Sequence, residues 1–313
     1  MKKRKWHVII NPNAGNKTIS RDWPSIKRML EEAGLNFSYT FTSRPLHAIK
    51  LTVQAVENGE RNFIAVGGDG TFNEVANGIF LQKNVDTKEF VLAAIPVGTG
   101  NDWGRMYGIP ADYRKAIDLI SNEKLFVQDV GVVQYSDDGK TPKRYFINIA
   151  GLGFDALVAY KTNQQKESGK ATAFSYFVNL LTGLFHYKPG PMRIRIDDAE
   201  YQFNVFSITV GICRYNGGGM MQAPLAIPDD GLLDVTVIKK IGLGTLAMQL
   251  KNLYNGTFIR HPKVHTFRGS NIRIFPQENR FRLESDGENL GFGPFEFTVL
   301  PRALKVVIGE KNF

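Results

Sequence analysis

The chain of 313 residues has a single cysteine, Cys213. It therefore forms no internal disulfide, which fits a reducing compartment such as the cytosol. The lone thiol reads as a small buried hydrophobe. The five histidines (His7, His47, His186, His261 and His265) show no zinc-type spacing. His261 and His265 stand four apart, but Pro262 lies between them and no HExxH surrounds them, so they read as structural or solvated. No apolar run approaches the roughly 20 residues that span a bilayer. The richest, YFVNLLTGLF from Tyr176 to Phe185, falls well short. The opening MKKRKWHVIINPNAG sets basic residues before apolar ones, as a signal peptide does. Its apolar stretch is too short and ends in Asn-Pro, so a first β-strand is expected. There is no low-complexity run, no linker rich in Pro, Gly or Ser, and no GxxxxGKS or GxxxxGKT phosphate loop.

Hydrophobic residues make up 43% of the chain and aromatic residues 12%, enough to build real cores. The net charge of +9 favours anionic partners such as nucleotides or an anionic membrane surface. Nucleic acid is not expected, because no RRM, KH, helix-turn-helix or zinc-finger pattern occurs.

Up to about residue 125, strand and helix patterns alternate: WHVIINP, DWPSIKRMLEEAG, NFSYTFT, LHAIKLTVQAVENG, NFIAVGG, FNEVANGIF, FVLAAIPVG and DYRKAIDLISNE. Trp23, Ile26, Met29 and Leu30 share one helical face, and Gly34 sits where a C-terminal cap belongs. The continuous apolar run FVLAAIPVG suits a strand covered on both faces. This alternation predicts a doubly wound parallel α/β domain. From about residue 127 the chain reads mostly as strands joined by turns, with helical stretches near 171–185 and 244–253. That half is expected to be an antiparallel β domain, with a ligand cleft between the halves.

Three glycine-bearing turns follow strands in the first half: NPNAG from Asn11 to Gly15, GGDGT from Gly67 to Thr71, and PVGTGND from Pro96 to Asp102. Glycine lets backbone N–H groups approach a phosphate. Helices starting after the second and third turns would favour anions at their N-terminal ends. Any one of these could be an ordinary tight turn; three at one sheet edge point to a phosphate site. GLGFDA, Gly151 to Ala156, reads GxGxxA, but no acid stands about 20 residues downstream. A bend is the better reading. Asp69 lies among three glycines, where a bare acid would repel phosphates. A bridging Mg²⁺ resolves this, and the loop then belongs to a phosphoryl-transfer site.

The second half carries two acid clusters. APLAIPDDGLLD holds Asp229, Asp230 and Asp234; it suits either a hard cation or a solvated turn. LESDGENLG holds Glu284, Asp286 and Glu288; it suits either an ordinary hairpin or a turn whose Glu288 is a base for an acceptor hydroxyl.

VGGDGTFNEVANGI and IPVGTGNDWGR, with NPNAG before them and QAPLAIPDDGLLDV and ESDGE after them, occur in one order along nearly the whole chain. Together they resemble the diacylglycerol kinase catalytic-domain superfamily, most closely the bacterial YegS/BmrU/DgkB-type lipid kinases. The resemblance implies an ATP-binding α/β domain over residues 1–127, joined by a returning strand within 300–313. It implies a β-sandwich-like lipid domain over 128–299, with the active site between the two. By motif, Asn11, Pro12, Asn13, Ala14, Gly15, Thr42, Gly68, Asp69, Gly70, Thr71, Phe72, Asn73, Glu74 and Thr99 would hold ATP. Asp69 would organise Mg²⁺ and the phosphates, and Glu288 would be the general base. Asp230, with the carbonyls of Ile227 and Leu232, would hold a second, structural Mg²⁺. Trp103 beside the third loop has no expected role beyond packing.

Lys161, Lys166 and Lys170 precede the apolar stretch from Ala171, and Lys188, Arg193 and Arg195 follow it. Such a stretch suits either a core helix or an interfacial contact with anionic lipid. The expected protein is thus a cytoplasmic, peripherally membrane-associated lipid kinase using ATP and Mg²⁺, with a homodimer as a candidate assembly. An NAD kinase-like enzyme of the same superfold and a non-catalytic nucleotide or lipid sensor are the alternatives.

Overall fold

The computed structural model describes residues 4–98, 100–154, 156–157 and 187–310. Thr99, the cations Lys161, Lys166 and Lys170, and the apolar stretch 171–185 lie outside the described residues. The first half winds β1 (Lys5–Ile10), α1 (Ala14–Lys17), α2 (Ile19–Glu32), β2 (Asn36–Phe41), α3 (His47–Glu57), β3 (Asn62–Gly67), α4 (Asp69–Leu81), β4 (Val91–Pro96), α5 (Asp102–Met106) and α6 (Tyr113–Asn122). The strands run in parallel in the order β2-β1-β3-β4. Their side chains divide by alternation. Val8, Ile10, Ile64, Val66, Ala93 and Ile95 share one core with Trp23, Ile26 and Leu30 of α2 and with Ile117 and Ile120 of α6. Ile9, Phe63, Ala65, Leu92 and Ala94 share another with Val75, Ala76 and Ile79 of α4 and with Ala55 of α3. Each fully buried large side chain of this kind stabilises the fold by roughly 1.5–3 kcal/mol. Apolar burial on both faces is why these strands read as near-continuous hydrophobic runs.

The second half contains β5 (Leu125–Ser136), β6 (Lys143–Phe146), β7 (Ile149–Gly153), β8 (Gly190–Ile196), β9 (Ala199–Gly211), β10 (Tyr215–Asn216), β11 (Met220–Met221), β12 (Leu233–Lys239), α7 (Leu243–Tyr254), β13 (Val264–Gly269), β14 (Asn271–Pro276), β15 (Arg282–Ser285) and β16 (Glu288–Val307). The antiparallel pairs β9-β7, β7-β15, β15-β16, β16-β14, β14-β8 and β8-β9 close a ring. Met192, Ile194, Ile272, Ile274, Leu283, Phe295 and Phe297 are buried in its core. Gly151 and Gly153 of GLGFDA lie in β7. A Cβ on Gly153 would meet the Phe206 carbonyl oxygen at 2.6 Å, so this glycine serves a close strand contact.

The long strand β16 spans both halves. It pairs with β15, β14 and β5, then lies parallel to β4 through Lys305–Val91 and Val306–Leu92. Register shifts near Phe292–Glu296 and Leu300–Leu304 bend it on the way. The halves are therefore stitched into one sheet by backbone hydrogen bonds. Among the described residues, no helix is long and apolar enough to cross a membrane.

Helix α4 approaches α3 closely at Gly78, where a Cβ would overlap the Thr52 side chain and meet the Ile49 carbonyl oxygen at 2.8 Å. Gly78→Ala is expected to lower stability by about 1–2 kcal/mol even though alanine favours helix. Gly70→Ala, where a Cβ meets nothing within 4 Å among the described residues, should not lower it and is expected to raise it by up to about 1 kcal/mol. The two urea midpoints test this.

Candidate active site

In a parallel sheet of this order the ligand crevice lies at the carboxyl ends of the strands, beside the reversal between β1 and β3. All three glycine turns emerge there, and they are tied to one another. The Asn11 side-chain amide donates to Thr71 Oγ1 at 3.2 Å. The Val97 N–H donates to the Gly67 carbonyl at 2.7 Å. Gly15 adopts φ +59°, and a Cβ there would meet Val97 Cγ1 at 2.7 Å. Among the described residues, nothing lies within 4 Å of a Cβ built on Gly70 or Gly98.

Asp69 opens α4 and is half-buried. Its Oδ2 accepts the Asp102 N–H at 3.1 Å and its Oδ1 the Trp103 N–H at 3.0 Å, so it caps α5 from another element. Asp102 in turn accepts the N–H groups of Gly218 and Gly219 at 2.8 and 2.6 Å, joining α5 to the β10–β11 turn of the second half. Desolvation, then the nearby Asp102, raises the Asp69 carboxyl above its ordinary range, against the N–H bonds it accepts. Desolvation raises Asp102 as well. Trp103 packs against Phe72 and Tyr107 and donates its indole N–H to Gln128 at 3.0 Å.

In the second half, Asp286 and Gly287 form the tight turn between β15 and β16, both with positive φ. The Asp286 side chain points inward. It accepts the N–H groups of Ile147, Asn148 and Ile149 at 2.8, 3.2 and 2.9 Å, and the Asn73 amide at 2.7 Å. Burial lifts its pKa to about 6, opposed by those donors; four N–H groups aimed at its two oxygens suit the ionised carboxylate. One turn further along α4, Asn77 exchanges hydrogen bonds with the Tyr145 backbone at 2.8 and 3.0 Å. Two asparagines thus fasten the loop helix to the second half.

Glu288, two residues beyond Asp286, forms an ion pair with Arg144 of β6 that is largely withdrawn from solvent. Burial raises its pKa to about 7, with Arg144 opposing and the Glu74 and Asp286 charges adding to the rise. A carboxyl poised there suits a general base near neutral pH. Asp69 and Glu288 are linked by a short path, since Asn73 sits one turn after Asp69 on α4 and bonds Asp286.

Residues 5–133 match the family model "Diacylglycerol kinase catalytic domain", and residues 148–308 match "YegS C-terminal NAD kinase beta sandwich-like domain". The chain is 31% identical over 306 residues to a diacylglycerol kinase of Staphylococcus saprophyticus, covering 98% of this chain and 95% of that protein. The chain belongs to the diacylglycerol kinase family. It is also 32% identical over 313 residues to a Staphylococcus epidermidis diacylglycerol kinase, covering 100% of this chain and 94% of that one. A Bacillus anthracis diacylglycerol kinase crystal structure shares the fold, with TM-score 0.74 at 23% identity over 99% of this chain and 98% of that one.

In this family member the residues suggested by motif divide by environment. Asn11, Pro12, Asn13 and Gly68 lie in the first two turns, and Ala14, Gly15, Asp69, Gly70 and Thr71 in the opening turns of α1 and α4 that follow them. Thr42 follows β2, its N–H on the Ile10 carbonyl at 2.8 Å, beside the first loop. Phe72 instead faces the core. Asn73 is engaged by Asp286, and Glu74 accepts the Leu46 and Ala48 N–H groups at 3.1 and 3.0 Å. A helix turns about 100° per residue, so consecutive motif positions cannot all face the loop.

The residues can be tested against Mg²⁺. Oδ2 of Asp69 and Oδ2 of Asp102 lie 3.3 and 3.9 Å from the point a Cβ on Gly100 would occupy. A half-buried and a buried carboxylate beside a space left by glycine fit a hard cation, although Asp102 is also paired with Arg105 at 3.7 Å. At the other acid turn, Asp230 is ion-paired with Arg268, which also reaches Asp234 at 3.3 Å, and Asp229 lies 3.7 Å from Arg302. Arginines thus already meet the charge of that turn. The reading from sequence missed Asp102, Asp129, Arg144 and Asp286. Asp129 is buried and accepts the Gly231 and Arg302 N–H groups, both at 2.7 Å. Of the four, only Asp102 and Asp286 stood inside quoted motifs.

Asp286→Asn would turn amide hydrogens towards N–H groups that need an acceptor. It is expected to cost about 3–5 kcal/mol, the usual range for breaking a buried charged network, as a fall in the denaturant midpoint.

Proposed function

We propose that this chain is an ATP- and Mg²⁺-dependent lipid kinase that transfers the γ-phosphoryl group to a lipid hydroxyl, with diacylglycerol as the leading acceptor. The observation that carries the reading is the short path from Asp69 at the glycine loops, through Asn73 and Asp286, to Glu288. It is supported by family membership and by relatives named diacylglycerol kinase. The loop amides around Gly68, Gly70 and Gly98 would bind the phosphates, with Asn11 and Thr71 holding two loops in register. Bound at Asp69 and Asp102, Mg²⁺ would supply charge neutralisation between carboxylates and phosphates. Glu288 would take the proton from the attacking hydroxyl. Water exclusion would come from the cleft walls. A second cation at Asp230, with the carbonyls of Ile227 and Leu232, would compete with Arg268 for the same carboxylate. Peripheral contact with an anionic bilayer completes the reading.

The test is labelled ATP with Mg²⁺ and an acceptor panel of diacylglycerol, monoacylglycerol, ceramide, sphingosine, phosphatidylglycerol and undecaprenol in mixed micelles, with NAD as soluble control. Label is expected in a lipid. Label only in NAD would overturn the lipid reading in favour of a nucleotide kinase.

Glu288→Gln should lower kcat by roughly 10²–10⁴-fold, the range for loss of a general base, with the KM for ATP nearly unchanged. Asp69→Asn should abolish transfer. Because it also removes an acceptor from the α5 amides, its thermal midpoint must be measured beside its activity.

A further inference from the structure

Arg144 has no counterpart in the motifs, yet it is the cation in contact with Glu288. It stands on β6, in register with Val133 of β5, where the Asn77–Tyr145 hydrogen bonds hold β6 against α4. Its guanidinium contacts Oε2 of Glu288 through Nη2. Among the described residues, two atoms of the pair are buried without a partner: Nε of Arg144 and Oε1 of Glu288. Buried polar groups are nearly always satisfied, and exceptions in a cleft call for an explanation. Here the pair offers one spare donor and one spare acceptor. A hydroxyl group, which donates one hydrogen and accepts another, answers both.

We propose that Arg144 and Glu288 act as a pair that receives the acceptor hydroxyl, Arg144 fixing Oε2 so that Oε1 takes the proton. This rests on the lipid-kinase reading above. Arg144 is a positioning residue: it orients the carboxylate, keeps it ionised, and turns its Nε–H to the hydroxyl oxygen. In the step it serves, the hydroxyl oxygen bonds to the γ-phosphorus as the bond to the β-phosphate oxygen breaks. The hydroxyl proton passes to Oε1 and then to solvent, leaving ADP and the phosphorylated lipid. Among the described residues, the charged and titratable groups facing Glu288 are Arg144 on β6, Glu74 on α4, Asp286 in its own turn and Tyr135 on β5. Arg144 is the cation among them. Removing it leaves Glu288 among anions, so its pKa must rise and the acidic limb of the rate profile must move to higher pH.

The test compares wild type, Arg144→Gln, Arg144→Lys and Glu288→Gln. The readouts are the pH profile of kcat/KM for the lipid and ¹³C NMR titration of the carboxylates in the unliganded protein. In Arg144→Gln the Glu288 titration and the acidic limb should both move up by about one unit, in line with loss of an adjacent opposite charge. The KM for ATP should stay within about twofold, since the pair does not hold the nucleotide. Arg144→Lys should keep the limb in place but lose roughly tenfold in kcat/KM, because an ammonium cannot reproduce the planar fork. An inactive Glu288→Gln with an unmoved limb in Arg144→Gln would overturn the pair alone. A fully active Glu288→Gln would overturn Glu288 as the base, and the pair with it. If Arg144→Gln does not fold, Arg144→Lys decides: undiminished kcat/KM overturns the proposal.

Discussion

The structure turns on one buried charge, the carboxylate of Asp286. Three successive backbone N–H groups, from Ile147 to Ile149, converge on it, and the Asn73 amide adds a fourth donor from the other half of the molecule. An ion withdrawn from water costs several kcal/mol unless its hydrogen bonds are replaced, and here they are. The arrangement can be satisfied in one way only. The loop joining β6 to β7, the β15–β16 turn and α4 must all arrive together. Glu288 and Asp69, at the two ends of that assembly, inherit their relative position from it.

Two further acids repeat the device. Asp69 caps α5, and Asp102 at the start of α5 binds the Gly218–Gly219 backbone. Each spans elements distant in sequence, and each uses carboxylate oxygens on backbone N–H groups. The cost is visible in their titration, since burial raises Asp69, Asp102 and Asp286 together. Holding carboxylates close together out of water costs stability. That is the trade expected where a site is held ready for charged ligands.

Much of the first half was legible in the sequence. Trp23, Ile26 and Leu30 fall on one helical face because the period of the helix is local, and they are buried as that period predicts. The glycine turns were legible for the same reason, because a turn needs particular residues at particular positions. The second half read correctly as antiparallel strands, but the closed ring did not, and the return of β16 to the first half was expected only from the resemblance. Pairing partners such as Lys305 and Val91 are set by long-range closure, which leaves no mark on neighbouring residues. ESDGE shows the limit most clearly: Asp-Gly reads as a surface hairpin, and it is a hairpin, yet its aspartate points inward.

By itself the sequence determined the strand and helix periodicity, the positions of the glycine turns and the family. Tertiary structure alone decided which acids are buried, that Phe72 and Asn73 turn away from the loop they follow, and that Arg144 stands against Glu288. The reason is physical. Propensity and periodicity act between near neighbours, whereas desolvation and ion pairing depend on which distant segments exclude water from a group. No window of residues contains that information.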